Sequence, residues 1–355
     1  MRPGPRRPPV PRVALALAAL LLIAVAVGAG ALLRSATDSD DPAPAAAGVP
    51  ATTTARQEPV TTTAEAAATT TTAADPAPDP RAAIRAERRR TRTLLRRAAA
   101  AAADAGGAGT GAAVGTLGPG SVARAGDLRS THAWSTMKLG VLSAVLRARR
   151  DGELPGGSTP TAAERSSARS ALTASDNDAA LALFGELEDT FGGVDGASDR
   201  IEAALSAGTG RSIPVNRARR ETFSTFGQTD LALTDGVRFV GGLAAGCVLS
   251  GADTTYVTGL MRQVVPAQRW GLGSPRWGAP VAFKGGWGPE AGGRYVAVQY
   301  GVLRHGRRGV VVAVAALVPG GLESATPVLS RMARALQRAL PRERWPLRAS
   351  GCPAS

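Results

Sequence analysis

The fold is decided by three apolar runs near the C-terminus: VAFKGG at 281–286, RYVAVQYGVL at 294–303 and GVVVAVAAL at 309–317. Each run is short and apolar, and Gly-rich or His-Gly-Arg-Arg turns separate them, which predicts successive antiparallel strands. The segment ATPVLSRMARALQRAL at 325–340 follows with the spacing of an amphipathic helix. Together these features predict a three-stranded block that is closed by a C-terminal helix.

The region before these strands supplies the rest of the predicted fold. A helix is predicted from about Arg81, and GAAVGTLGPGSVARAGD at 111–127 predicts a strand, a Pro-Gly turn and a second strand. Helical spacing recurs in four further segments: 135–150, 162–173, 178–187 and 230–245. This order predicts an α+β domain over residues 81–345, in which terminal helices flank an antiparallel five-stranded sheet and an all-helical subdomain is inserted. Residues 346–355 are a C-terminal tail.

The N-terminus has the features of a membrane anchor. A basic leader, residues 1–12, precedes an uncharged apolar run from Val13 to Leu33. A run of this length spans a bilayer as a helix, and the arginines before it place the N-terminus in the cytoplasm. We therefore predict a single-pass protein of the cell membrane with an extracytoplasmic catalytic domain. A cleaved signal peptide, which would give a secreted protein, is the alternative, because Ala29-Gly30-Ala31 fits a small-residue cleavage site.

Residues 34–80 have the composition of a linker. They consist mainly of Ala, Thr, Pro and Asp, with almost no large apolar side chain. Such a segment cannot bury enough surface to fold, so we predict a disordered tether between the anchor and the domain.

The composition argues against several classes of function. The chain has 42 Lys and Arg against 28 Asp and Glu, but its arginines are spread over many segments without aromatic interleaving, so no nucleic-acid partner is predicted. With only His132 and His305 as histidines, neither a metal nor another cofactor is expected. We expect a monomer. In an exported domain Cys247 and Cys352 either pair, which would tie the tail to the body, or remain free.

Ser135 and Lys138 are the first candidates for chemistry. They lie one turn apart on one face at the start of a predicted helix, whose N-terminus supplies N–H donors. A desolvated lysine can lose its proton and accept the proton of the serine hydroxyl. The alternative is a serine that caps the helix beside a solvated lysine, because Ser-x-x-Lys also occurs by chance.

The lysine content favours a function for this pair. Lys138 and Lys284 are the only lysines of the chain, and every other basic residue is arginine. Because arginine does not deprotonate in proteins, it cannot replace lysine where a group must titrate. Lys138 begins a predicted buried helix, and Lys284 lies in a predicted strand with Gly285 and Gly286 after it.

A third motif completes an ordered set. Ser175-Asp176-Asn177 lies between two predicted helices, where alone it would be interpreted as a helix cap. In the order Ser-x-x-Lys, Ser-Asp-Asn and Lys-x-Gly, with helices between and strands after, the sequence resembles class A β-lactamases and penicillin-binding proteins. The resemblance covers roughly residues 81–345.

The resemblance implies a role for each matching residue. Ser135 would attack the carbonyl of a β-lactam or a peptidoglycan-type peptide, and Lys138 would accept its proton. Ser175 would pass a proton to the leaving nitrogen, and Asn177 would bind the substrate amide and Lys138. Lys284 would bring positive charge to the substrate carboxylate.

Substrate binding is implied for three further residues. Gly286 lets a substrate backbone approach the strand closely. The backbone N–H of Trp287, with that of the serine nucleophile, would form an oxyanion hole. Arg294 either faces the substrate carboxylate or is a solvated strand end.

Two departures from the family pattern limit this interpretation. Gly285 stands where the family usually has Thr or Ser, so a hydroxyl that would bind the substrate carboxylate is missing. The Glu-x-x-Leu-Asn pattern that carries the deacylating base does not occur, and Glu221, which follows three arginines, is interpreted as a surface ion-pair residue. Without that base an acyl-enzyme would hydrolyse slowly.

Three functional hypotheses follow. The first is a β-lactamase-like serine hydrolase that acts through an acyl-enzyme on β-lactam or related amide and ester bonds. The second, favoured by the missing glutamate, is a DD-peptidase or esterase of cell-wall metabolism with slow deacylation. The third is a non-catalytic relative that binds peptidoglycan, and the complete set of nucleophile, lysine and Ser-Asp-Asn residues argues against it.

Overall fold

The computed structural model describes residues 79–220 and 222–353. The predicted leader at 1–12, the predicted anchor at 13–33 and nearly all of the predicted linker at 34–80 lie outside the described residues, as does Glu221. None of the helices in the described ranges is both long and apolar enough to cross a bilayer. The leader, anchor and linker therefore stay predictions.

The predicted antiparallel sheet of five strands is confirmed. The strands of the domain are, in chain order, β1 (Thr110–Thr116), β2 (Val122–Gly126), β3 (Ser130–His132), β4 (Asp230–Ala232), β5 (Val281–Glu290), β6 (Arg294–His305) and β7 (Arg308–Pro319). The main sheet has the order β2-β1-β7-β6-β5, with every neighbouring pair antiparallel, and β3 pairs with β4 in a separate two-stranded sheet. The edge strand β5 carries the Lys284 motif.

Helices cover both faces of the sheet, as the α+β prediction requires. They are α1 (Pro80–Gly106), α2 (Lys138–Arg150), α3 (Ala162–Thr173), α4 (Asn177–Phe191), α5 (Val194–Thr209), α6 (Leu233–Ala244), α7 (Gly251–Arg262) and α8 (Leu322–Ala339). The terminal helices α1 and α8 pack together on one face, and α6 packs on the other, beneath the helical subdomain.

Coverage of both faces explains why the central strand β7 is apolar without alternation. Val310 and Val312 point into the core beneath α1 and α8, whereas Val311 and Ala313 point into the core beneath the helical subdomain. Because successive side chains of a strand point to opposite faces, a strand buried on both faces has a continuous apolar sequence.

Some elements differ from their sequence predictions. Residues 230–232 form strand β4 and not the start of a helix, because they pair with β3. The helix predicted from Ser135 begins as a short 3-10 turn, and α2 itself starts at Lys138. Helices α5 and α7 were not predicted, since α5 follows a Gly-Gly pair and α7 contains β-branched residues that weaken a helical pattern.

A disulfide ties the C-terminal tail to the body of the domain. Cys247 and Cys352 are bonded, with their Cα atoms 5.3 Å apart and a separation of 105 positions in sequence. The tail also forms backbone hydrogen bonds, from Arg348 N–H to Arg307 O and from Ala349 N–H to Leu117 O. The structure thus contains the paired arrangement, one of the two that the sequence left open.

The disulfide should contribute measurably to stability. Replacing Cys352 by Ser is expected to lower the free energy of unfolding by about 2–4 kcal/mol, because it releases a long loop in the unfolded chain. Denaturant unfolding of Cys352→Ser, Cys247→Ser and the double variant measures this effect. All three variants should lose the same free energy of unfolding. If a reductant leaves the free energy of unfolding of the wild-type protein unchanged, the expectation is contradicted.

Candidate active site

The candidate nucleophile lies on a strained turn against the edge strand. Trp134, just before Ser135, has a φ of 48°, in the left-handed region that costs a non-glycine residue of order 1–3 kcal/mol. A Cβ at Gly286 of β5 would lie 2.6 Å from Ala133 O and 3.0 Å from Ser135 N. Only glycine therefore allows this contact, which brings together the two backbone segments predicted to form the oxyanion hole.

Lys138 is buried and bound by three oxygens. Its Nζ donates to Ser175 O at 2.5 Å, Asp176 O at 3.0 Å and Asn177 Oδ1 at 2.8 Å, and only 3% of the residue is exposed. Burial lowers the pKa of Lys138 to about 8, although the charge of Asp176 acts in the opposite direction. A substantial fraction of this amine is therefore neutral in mildly alkaline solution.

Ser175 links the two lysines of the chain. Its hydroxyl accepts a hydrogen bond from Lys284 Nζ at 2.8 Å, while its carbonyl accepts one from Lys138. Ser175 has a φ of 61°, a second left-handed residue in the site. Lys284 also donates to Gly285 O, is 1% exposed, and has a pKa well below its ordinary value because of burial and the charge of Lys138.

A cleft of about 220 Å³ opens onto the nucleophile. It contains Ser135, Lys138, Ser175 and Asn177 together with apolar side chains from the helical subdomain, the 222–226 segment and the edge of the sheet. The lining is completed by Trp134, Leu181, Thr222, Phe223, Ser224, Phe226, Trp287, Gly288, Pro289 and Tyr295. Four of the predicted catalytic residues thus share one concave surface.

The other predicted residues are placed differently. Lys284 does not line the cleft but contacts it through its hydrogen bond to Ser175 Oγ. Gly286 packs against residues 133–137, the nucleophile turn that carries Ser135, whereas Trp287 lines the cleft. Arg294 is exposed at the start of β6 and borders a separate depression of about 280 Å³. Of the two alternatives for this residue, its position fits a solvated strand end and not a residue that binds the substrate carboxylate in the cleft. Within the described residues, no hydrogen bond joins Ser135 to Lys138.

A carboxylate clamp that the sequence analysis missed holds the nucleophile turn. Glu290, the last residue of β5, accepts a hydrogen bond from Trp134 Nε1 at 3.1 Å and lies 2.8 Å from His132 Nδ1. The indole of Trp134 fills the space that a side chain at Gly288 would need. No sequence signal links residues so far apart, although Gly288 indicates a close approach to the strand.

An aromatic stack closes one side of the cleft. The ring of Phe223 meets Trp134 edge-on, with centroids 5.0 Å apart. The guanidinium of Arg220 lies over both rings and donates to Pro289 O at 3.1 Å. Arg220 is thereby attached to β5 at the rim of the cleft.

The two lysines offer a direct test of the electrostatics. In protein labelled with ¹⁵N-lysine, NMR should show one side chain that titrates near 8 and a second whose pKa is also below 10.5, because burial disfavours both ammonium forms. The variant Lys284→Arg removes one signal and so assigns the other. A Lys138 signal that titrates near 10.5 would contradict the site described above.

Comparisons with known proteins agree with this geometry. The sequence matches no protein-family model and no curated protein. Among solved structures, the chain is similar to a β-lactamase from Streptosporangium roseum at 20% identity, with a TM-score of 0.51 over 71% of this chain and 98% of that chain. A β-lactamase from Chitinophaga pinensis DSM 2588 gives 16% identity and a TM-score of 0.52 over 67% of this chain and 96% of that chain.

A third solved structure gives a comparable result. PBP-A is 18% identical, with a TM-score of 0.50 over 65% of this chain and 89% of that chain. At such identities the likeness establishes the fold and leaves the reaction open. The domain therefore has the fold of the β-lactamases and of PBP-A to which it is similar.

Proposed function

We propose that the protein is a serine hydrolase that attacks β-lactam or related amide and ester carbonyls through Ser135 and forms an acyl-enzyme. The observation that carries this proposal is the buried Lys138, one turn from Ser135, whose pKa is lowered to about 8 in a cleft shared with Ser175 and Asn177. A titratable amine beside a serine hydroxyl at a cleft is the arrangement that nucleophilic catalysis requires.

The proposed steps use residues already placed in the cleft. Neutral Lys138 takes the proton of Ser135, whose oxygen attacks the substrate carbonyl. The backbone N–H groups of Ser135 and Trp287 stabilise the oxyanion. The bond to the leaving group breaks as Ser175, backed by Lys284, gives its hydroxyl proton to the leaving group and takes up the proton that Lys138 accepted from Ser135. Water then cleaves the acyl ester and restores the serine.

The lining of the cleft also supports a second candidate, a cell-wall DD-peptidase or esterase with a long-lived acyl-enzyme. Among the described lining residues there is no carboxylate that could activate the deacylating water. Glu221 lies outside the described residues, so the proposal assigns it no part. A site that acylates readily and deacylates slowly behaves as a penicillin-binding protein and not as an efficient β-lactamase.

We further propose that the domain acts outside the cytoplasm as part of a single-pass membrane protein. The disulfide between Cys247 and Cys352 supports this, because disulfides persist in oxidising compartments. The apolar run from Val13 to Leu33 supplies the anchor in this proposal.

Acylation of Ser135 is the central expectation. The full-length protein, kept in mild detergent, should gain the mass of one penicillin when incubated with a large excess of a fluorescent penicillin, and Ser135→Ala should gain none. Ser143→Ala is a matched control, because this serine lies on α2, directly after the turn that carries Ser135, and is completely buried away from the cleft. An adduct that survives Ser135→Ala would refute the assignment.

The lifetime of that adduct separates the two candidate functions. After excess penicillin is removed, an adduct that decays within seconds identifies a β-lactamase-like hydrolase. An adduct that persists for hours identifies the slowly deacylating candidate, which the lining of the cleft favours.

The acylation rate should depend on the protonation of Lys138. Because the neutral amine is the proposed base, the rate should rise as pH increases through about 8 and level off above it. Lys138→Arg keeps the charge but cannot deprotonate, so acylation should fall at least 1,000-fold at every pH, roughly the general-base contribution. A rate that is flat between pH 6 and 9 would exclude Lys138 as the base.

A further inference from the structure

Among the described residues that line the cleft, no cation has a free N–H donor for a substrate anion. Lys138 is the only charged residue among the described lining residues. An ammonium has three N–H donors, and Lys138 uses all three on Ser175 O, Asp176 O and Asn177 Oδ1. Its N–H donors are therefore already used by acceptors of the protein.

Lys284 does not supply the missing charge. It is 1% exposed, does not line the cleft, and directs two of its donors to Ser175 Oγ and Gly285 O. Burial and the neighbouring Lys138 favour its neutral form, which supports the same conclusion. Gly285 offers no hydroxyl beside it.

An indole lies where a polar side chain at residue 285 would begin. A Cβ built on Gly285 would lie 3.3 Å from Cζ3 of Trp287, so the six-membered ring of this indole borders the position. Trp270 packs against Trp287 from behind, with ring centroids 5.5 Å apart. The surface next to Lys284 is therefore apolar and supported by a second ring.

The remaining walls carry no charged side chain among the described residues, and Thr222 and Ser224 add only uncharged hydroxyls to them. Phe223, Phe226 and Leu181 line the cleft from the helical side, and Tyr295 lines it from the sheet. The nearest guanidinium at the rim, that of Arg220, stacks on Trp134 and Phe223 and donates to Pro289 O. An anionic group in this cleft would lose its hydration without gaining a hydrogen bond from a charged donor of the described lining, which is unfavourable.

We propose that the natural substrate of this site has a neutral, apolar or aromatic acyl group and carries no carboxylate beside the scissile bond. This inference rests on the proposed function, because it concerns the acyl donor of Ser135, and within that function it favours a hydrolase or esterase over a DD-peptidase, whose peptide substrate carries a carboxylate beside the scissile bond. The small volume, below that of a typical site for a drug-sized ligand, fits one ring or a short branched chain. Hydrolysis of an ester or amide with water then releases a carboxylate, and the same absence of a free cation favours release of this product.

A single chemical change tests the substrate class. Benzylpenicillin and its methyl ester differ only in the carboxylate next to the β-lactam amide. With the full-length protein, the second-order acylation rate, followed by intact mass, should be at least 10-fold higher for the methyl ester. Equal rates or a faster reaction with the free acid would overturn the proposal.

A charge insertion provides the matched variants. Leu181 lines the cleft and is 46% exposed, so a longer polar side chain is accommodated there without disturbing the core. Leu181→Lys should shift the preference at least 5-fold toward the free acid, while Leu181→Met, of similar size, should not shift it. If Leu181→Lys leaves the ratio of the two rates unchanged, charge does not decide selectivity and the proposal fails.

The controls distinguish this failure from failure of the proposed function. Should neither compound acylate the protein in a Ser135-dependent manner, the serine hydrolase assignment itself is wrong. A Ser135-dependent preference for the free acid that disappears in Arg220→Ala would leave the hydrolase intact and show that the rim guanidinium recognises carboxylates, which contradicts the neutral substrate class.

Discussion

The side chains of Lys138 and Lys284 are both buried against Ser175, and the rest of the site depends on that arrangement. Each amine loses hydration, and their charges repel, so burial is unfavourable unless oxygen acceptors surround them. Ser175 contributes its carbonyl to Lys138 and its hydroxyl to Lys284. The left-handed conformation of Ser175 presents these two groups to two different neighbours, and its strain is maintained because both lysines are bound there.

The three groups come from parts of the chain that only the complete fold brings together. Lys138 begins α2, Ser175 lies in the turn between α3 and α4, and Lys284 belongs to the edge strand β5. The contact of Gly286 with the nucleophile turn joins the sheet to the helical subdomain at the same place. Glu290 extends this junction by binding Trp134, so the residue before the nucleophile is held from the far end of β5.

Much of this arrangement was predictable because it depends on the order of motifs and on apolar periodicity. The three strands after residue 281, the terminal helices and the residues that meet in the cleft follow from these two signals. Side-chain direction at strand ends does not follow from them. Arg294 begins β6 opposite Glu290, and its guanidinium turns outward to a separate depression, a result of local backbone geometry at the Gly292-Gly293 turn.

The clamp and the aromatic stack were unpredictable for a related reason. Glu290 and Trp134 are 156 residues apart, and neither belongs to a periodic pattern that would place it. Their contact depends on the register of β5 against β6 and on the space left at Gly288, which are properties of the assembled sheet. Helices α5 and α7 bury few large side chains, so tertiary packing and not local propensity determines them.

The charge of the chain and the charge of its cleft have separate origins. A formal net charge of +14 gives the protein a field that attracts anions from solution. Inside the cleft, however, Lys138 is the one cation among the described lining residues, its N–H donors are used by protein oxygens, and the other described side chains of the lining are uncharged. The attraction of an anion to the protein surface and the binding of a substrate beside Ser135 therefore depend on different groups. The exclusive use of arginine outside the two lysines is consistent with this, because arginine on the surface supplies charge while only lysine in the interior supplies a proton acceptor.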